Sequence, residues 1–272
     1  MKSPQELHIP DEFRPFFTEY ASEREPDILY ELTFEEMQIP PEEDIVRISP
    51  CVFRYNGQIH GCCLWKNGKY IIRCEPIGRD LPCRLRLPED FLESFCKNGK
   101  WLNYFSLERA MLPYDRIFLH SSAILHNGKA YLFSAPSGGG KSTHAALWEK
   151  YFGAKVLNGD KTIISVTSDS CRAHGGPVAG SSNIFCTASA PLAAIILLQK
   201  APQNRIAPAL GYSALLSLYS ETIKSTWDSA FNSRILELLE RIQKSTPIFK
   251  LECLPDQSAV ECVLKYFEER KI

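Results

Sequence analysis

The sequence predicts a mixed α+β fold in two parts: a small β-rich α+β module over residues 1–113, then a second domain built on a mixed sheet over residues 114–272. Three observations carry this. Asn56-Gly57 and Asn67-Gly68 separate short alternating segments, and Asn-Gly suits the two-residue, positive-φ turn that joins antiparallel strands. A run of β-formers leads into three glycines and then a helical stretch, in "YLFSAPSGGGKSTHAALW". Just upstream, Asn127-Gly128 joins two apolar runs. So short a link makes them antiparallel neighbours, because a parallel pair needs a crossover of a dozen residues or more.

Taken in order, "CVFRYNGQIHGCCLWKNGKYIIRCEP" reads as a three-stranded antiparallel meander. Residues 89–97 and 100–112 read as helices; acids open the first and Asn98-Gly99 stops it. Past residue 115 the pattern predicts strands at 117–126 and 129–134, a loop, a helix at 141–152, and strands near 154–157 and 162–166. "LAAIILLQK" predicts a strand, followed by helices near 208–220 and 228–244, a strand at "IFKLEC", and a last helix at 256–270.

Bulk properties narrow the function classes. Lys and Arg total 31 against 32 Asp and Glu, so the net charge of -1 argues against a general nucleic-acid or membrane-surface binder. The start, "MKSPQELHIPDEF", lacks the apolar core of a signal peptide, and the longest apolar run is too short to span a bilayer. The expectation is a cytoplasmic protein whose ten cysteines are reduced thiols. No His lies at ligand spacing to Cys51, Cys62, Cys63 and Cys74, so no metal site is expected there.

The chemistry concentrates at "APSGGGKS", Ala135 to Ser142, a phosphate-loop pattern with Ala in place of the first Gly. Backbone N–H groups from Ser137 through Gly138, Gly139 and Gly140 to Lys141 can point inward as an anion nest. The helix that follows adds its positive end. Lys141 would meet the β- and γ-phosphates, and Ser142 would offer a hydroxyl to Mg²⁺, with Thr143 as a second hydroxyl. The expected ligands are therefore a nucleoside triphosphate such as ATP, and Mg²⁺.

"LHSSAILHNGKAYLFSAPSGGGKST" followed by "KVLNGDKTII" resembles the catalytic domain of HPr kinase/phosphorylase, as a divergent member. That family shares the P-loop fold of the ATP-dependent phosphoenolpyruvate carboxykinases. The resemblance covers roughly residues 115–200. It implies a His on the strand before the loop, here His120, and an acid after the next strand, here Asp160. Asp160 would be the general base and a Mg²⁺ ligand, with His120 and Lys141 near the γ-phosphate. The implied activity is transfer of the γ-phosphoryl group to a serine hydroxyl of a small protein, a peptide or free serine, with a homo-oligomer as an open possibility.

Two departures stand beside the resemblance. Where the family has two adjacent acids, this chain has Asp160-Lys161, and the family's later signature segment is not found. A nucleotide-binding regulatory or peptide-binding module with little or no transfer activity is therefore the competing expectation. A carboxykinase-like lyase is set aside, since that chemistry needs a second metal and more basic residues. Of the neighbouring residues, Lys161 could clamp phosphate or simply be solvated. His144 is read as structural or solvent-facing, Arg205 as an exposed Arg, and Trp148 and Tyr151 as core. Gly175 to Asn183 is either a substrate or phosphate-covering loop or a plain connection.

Overall fold

The computed structural model describes residues 3–4, 11–16, 27–36, 39–64, 70–75, 83–92, 105–178, 182, 184 and 186–270. The chain divides into two compact units, Met1–Pro113 and Tyr114–Ile272.

The first unit holds a six-stranded sheet of β1 (Tyr30–Phe34), β2 (Val46–Ser49), β3 (Val52–Tyr55), β4 (Gln58–Leu64), β5 (Tyr70–Glu75) and β6 (Cys83–Leu87). Their order is β1-β6-β5-β4-β3-β2. The expected meander is β3–β4–β5, antiparallel throughout. Asn56 and Gly57 make the first turn at φ 48° and 77°. The second turn, Asn67-Gly68, lies outside the described residues. β6 alternates as a half-buried strand should: Cys83, Leu85 and Leu87 are buried while Arg84 and Arg86 point out. Ile45, Phe53, Cys62 and Ile72 share a small core. β1 runs parallel to β6, and neither strand was assigned from the sequence. Of the two expected helices, residues 93–104 lie outside the described residues. The described remainder includes α1 (Leu107–Met111).

The second unit is built on β7 (Arg116–His126), β8 (Lys129–Ser134), β9 (Lys155–Asn158), β10 (Lys161–Val166), β11 (Cys171–His174), β12 (Ser189–Lys200), β13 (Arg205–Pro208) and β14 (Ile248–Cys253). The order is β11-β10-β7-β8-β12-β14-β13, with β9 also on β7 and β11 also on β12. β7 and β8 form the antiparallel hairpin, turned by Asn127 and Gly128 at φ 49° and 74°. β12 pairs in parallel with both β8 and β14. The sheet is therefore mixed, and the chain is an α+β protein.

Four helices complete this unit: α2 (Lys141–Phe152), α3 (Gly211–Glu221), α4 (Ser229–Ser245) and α5 (Gln257–Arg270). α2 stops at Gly153, whose φ of 65° admits the left-handed cap and whose N–H donates to the Trp148 carbonyl. α4 starts at Asp228, whose side chain accepts from the Phe231 N–H. The core packs Trp148 between strand and helix residues including Tyr131, Phe133, Ile196, Phe249, Val263 and Phe267. Tyr131 stacks on Trp148 with ring centroids 5.7 Å apart.

Three expectations need correction. The helix expected near 208–220 starts at Gly211, because 205–208 is the strand β13, paired antiparallel with β14. β11 was not foreseen. Tyr151 is not core: it stands 42% exposed, covered on one side by the Lys150 ammonium. Among the described residues no helix is long and apolar enough to cross a membrane.

Candidate functional site

β8 delivers the chain into the glycine loop, and each glycine there has its own physical reason. Gly138 and Gly140 take φ of 75° and 97°, a region that side chains strain to enter. A Cβ on Gly139 would stand 2.5 Å from the Ala135 Cβ and 2.9 Å from the Pro136 carbonyl oxygen. The Gly139 N–H closes the turn onto that same oxygen at 2.9 Å. Gly140 sits at the cap of α2 with no side chain to satisfy the first helical N–H groups. Ser137, Ser142 and Thr143 are exposed around it.

Lys141 is buried at 7% exposure, and its ammonium donates to the Ala135 carbonyl at 2.8 Å and the Pro136 carbonyl at 3.3 Å. The lysine is thus folded against the loop it follows. Burial lowers its pKa, and the carboxylates of Glu221 and Asp160 pull the other way.

His120 comes from the middle of β7, where β10 pairs with it in the register Lys161↔His120. That register brings Asp160 alongside: its Oδ1 lies 3.2 Å from the His120 Nε2. The backbone is pinned from three sides. The Ser121 N–H donates to the Asp160 carbonyl, the Ser122 hydroxyl to the Gly159 carbonyl, and the Ser134 hydroxyl to the His120 carbonyl.

Asn158 builds the turn that presents Asp160. Its fully buried side chain accepts from the Asp160 N–H at 2.9 Å and the Lys161 N–H at 2.8 Å. Its amide donates to the Gly176 and Val178 carbonyls, each at 3.1 Å. Gly159 is required because a Cβ there would run into the Ser182 side chain.

The residue that sequence reasoning missed is Glu221, at the end of α3. Its Oε2 lies 3.1 Å from the His120 Nδ1, and its side chain is 14% exposed. The helix end is docked onto β7 by a Leu119↔Thr222 bridge and by the Ile223 N–H on the Phe118 carbonyl. Glu221 is far from the loop in sequence, and "LYSETIK" reads as an ordinary helix end, so no local signal marks it. The imidazole of His120 is therefore held between two carboxylates, one on each nitrogen.

The glycine loop, Lys141, His120 and Asp160 open onto one cavity of ≈ 560 Å³, within the ordinary range for a small-molecule site, and Glu221 stands behind His120 without lining it. Ser137 through His144 line one side and His120 and Asp160 another. His144 is buried, not solvent-facing, with its ring edge on Phe133 at 4.5 Å between centroids. Burial takes its pKa down to about 4. Arg205 is exposed on β13 opposite Glu252 and does not line the cavity, nor do Lys161 and the described part of Gly175 to Asn183.

The chain matches no protein-family model and no curated protein.

Proposed function

We propose that the second unit is a P-loop domain of the phosphoenolpyruvate-carboxykinase type, similar to HPr kinase/phosphorylase, and that it is a kinase acting on a serine hydroxyl. The carrying observation is convergence: the glycine loop, Lys141, His120 and Asp160 meet on a single cavity. A glycine turn of no consequence would not be facing a buried lysine and a His–carboxylate pair. The reading includes a cytoplasmic setting, and the acceptor is a small protein, a peptide or free serine.

The donor set suits Mg²⁺ carried on a triphosphate. Among the described residues no three His, Cys, Asp or Glu side chains are placed to hold a metal alone. A magnesium bound mainly by phosphate oxygens and water asks the protein for only a hydroxyl and one or two carboxylates. Ser142 and Asp160 would hold it, with Glu221 nearby, and it would neutralise charge on the β- and γ-oxygens.

The chain's own residues do the rest. The loop N–H groups and the open end of α2 bind phosphate oxygens. Lys141, already positioned by two carbonyls, places its charge at the β- and γ-phosphates. The acceptor oxygen forms a bond to the γ-phosphorus as the bond to the bridging oxygen breaks and ADP leaves. The hydroxyl proton passes to the Asp160 carboxylate. His120 fixes that carboxylate, and Glu221 fixes His120. Glu221 also supplies a second negative group where the neighbour of Asp160 in sequence is a lysine.

A γ-labelled ATP transfer assay with Mg²⁺ tests this, using free serine, an HPr-type protein and a pool of serine peptides as acceptors. Wild type should transfer label. Asp160→Asn should abolish transfer while keeping ATP affinity nearly intact. Transfer surviving in Asp160→Asn would remove Asp160 as the base. Tight ATP binding with no transfer to any acceptor would favour a nucleotide-sensing module.

A further inference from the structure

The face of the sheet that carries His120 also carries positive charge with nothing to balance it. β7 pairs with β10, and β10 with β11, in regular register, so cross-strand partners share a face. Arg116, Ser165 and Arg172 form one row there; Phe118, Ile163 and His174 form the next; His120 and Lys161 form a third. β12 extends the first two rows with Pro191 and Ser189, which are exposed, as is Arg172. None of these positions holds an acid. We propose that Arg116 and Arg172 dock a carboxylate-bearing stretch of the acceptor, so that the phosphorylated serine belongs to an acidic peptide, or to a small protein with an acidic segment, and not to free serine. This rests on the kinase reading above and names its substrate class.

Neither guanidinium is committed elsewhere. Among the described residues no carboxylate pairs with Arg116 or Arg172, and Arg172 makes only two long contacts, 3.4 Å each, to the carbonyl and the hydroxyl of Ser189. The acids nearest in sequence are engaged away from them. Asp115 is held by Arg234 and Arg241 of α4, one on each carboxylate oxygen. Asp169, in the turn between β10 and β11, accepts from the Ser168 hydroxyl. The two arginines stand on strands two apart, roughly 10 Å between backbones at about 4.8 Å per strand. Their charges overlap at His174, where they add to burial in lowering the imidazole pKa. The whole chain carries a net charge of -1, so this is a local concentration of cations, and an anion entering between them meets both at once. Spacing then selects the kind of anion. Arg116 lies four residues before His120 on β7, about 13 Å at about 3.3 Å per residue. An extended chain with its serine at His120 and Asp160 brings residues about four to six positions away to the arginines. Phe118 and Ile163, between the two places, are buried, so the docking contact is separate from the catalytic one and is made by charge. Free serine spans one residue, about 3.6 Å, and cannot touch both.

An oriented peptide pool, with one fixed serine and degenerate flanks, tests this with γ-labelled ATP and Mg²⁺ on wild type, Arg172→Glu and the double variant Arg116→Gln/Arg172→Gln. Neither arginine lines the cavity, so ATP affinity, read by calorimetry, should stay within about twofold in each variant. Labelled products from wild type should be enriched about threefold or more in Asp and Glu about four to six residues from the serine. The double variant should lose that enrichment. Arg172→Glu should shift it toward Lys and Arg, a reversal that a merely structural arginine would not produce. Circular dichroism melts verify folding, and Arg172→Gln alone, at an exposed position, replaces a variant that is unfolded. Labelled products without acidic enrichment, enrichment kept in the double variant, or label in free serine alone each overturn the docking surface and leave the kinase standing. A single-stranded oligonucleotide that binds through the same arginines more tightly than an acidic peptide of equal charge, by fluorescence anisotropy, would assign the surface to nucleic acid and overturn the proposal. Label in no acceptor removes the kinase reading, and the substrate assignment with it.

Discussion

At the scale of single residues, two side chains of the site, Lys141 and His144, are kept out of the water that would solvate their charged forms. Lys141 and His144 lie on one helix face, and burial disfavours the charged form of each. For His144 the consequence for stability can be read directly. The folded side chain protonates only near about 4, the unfolded one near 6.5. Between those values the unfolded chain binds more protons, so stability falls as pH drops from 6.5 toward 4. The full effect is on the order of 3 kcal/mol. Urea denaturation at pH 7 and pH 5 should show wild type losing more stability than His144→Phe. Burial also lowers the pKa of His60 and His174, and since they are present in both proteins the difference isolates His144. Equal losses in the two proteins would mean that His144 is solvated. Lys141 was read from the glycine-loop pattern, and His120 and Asp160 from the family resemblance; the structure brings the three to one cavity. Glu221 was not legible, because what brings it to His120 is the docking of a helix end against β7, a contact between distant parts of the chain. The burial of His144 was equally invisible: a lone histidine in a helix gives no hint of what surrounds it.

Among elements, the strand–loop–helix and the β7–β8 hairpin were legible to within a residue or so, since long apolar runs and Asn-Gly turns act locally. The strands that escaped are short. β11 and β13 have four residues each and take their strand character from β10, β12 and β14 beside them. β1 exists through its parallel pairing with the distant β6. The turn at Asn158 is the element on which the proposed chemistry depends most. Asn158→Leu keeps the volume and strands two N–H groups and two carbonyls, at about 1–3 kcal/mol for each group left buried and unpaired. The variant should be destabilised by on the order of 3 kcal/mol in urea denaturation, since some stranded groups find water. Its transfer rate should fall further than its ATP affinity, because Asp160 loses its support while the glycine loop keeps its own. A variant as stable as wild type would show that the side chain's four contacts are not formed.

On the scale of the molecule, the candidate site can be placed within one of the two units. Among the described residues, every one that lines the cavity belongs to Tyr114–Ile272. That unit expressed alone should therefore fold cooperatively and bind Mg²⁺-ATP within about threefold of the full chain, by calorimetry. A large loss of affinity would mean that the first unit completes the site. The cavity's lining comes from opposite ends of the second unit: His120 and the glycine loop early in it, Leu254 and Pro255 late. A chain still emerging from the ribosome has made Lys141 long before β14 has joined β12 and brought Leu254 and Pro255 to the cavity. A nucleotide bound as proposed would then reward completion, because a ligand that needs both walls lowers the free energy of the finished domain alone and leaves its half-made precursors as they were.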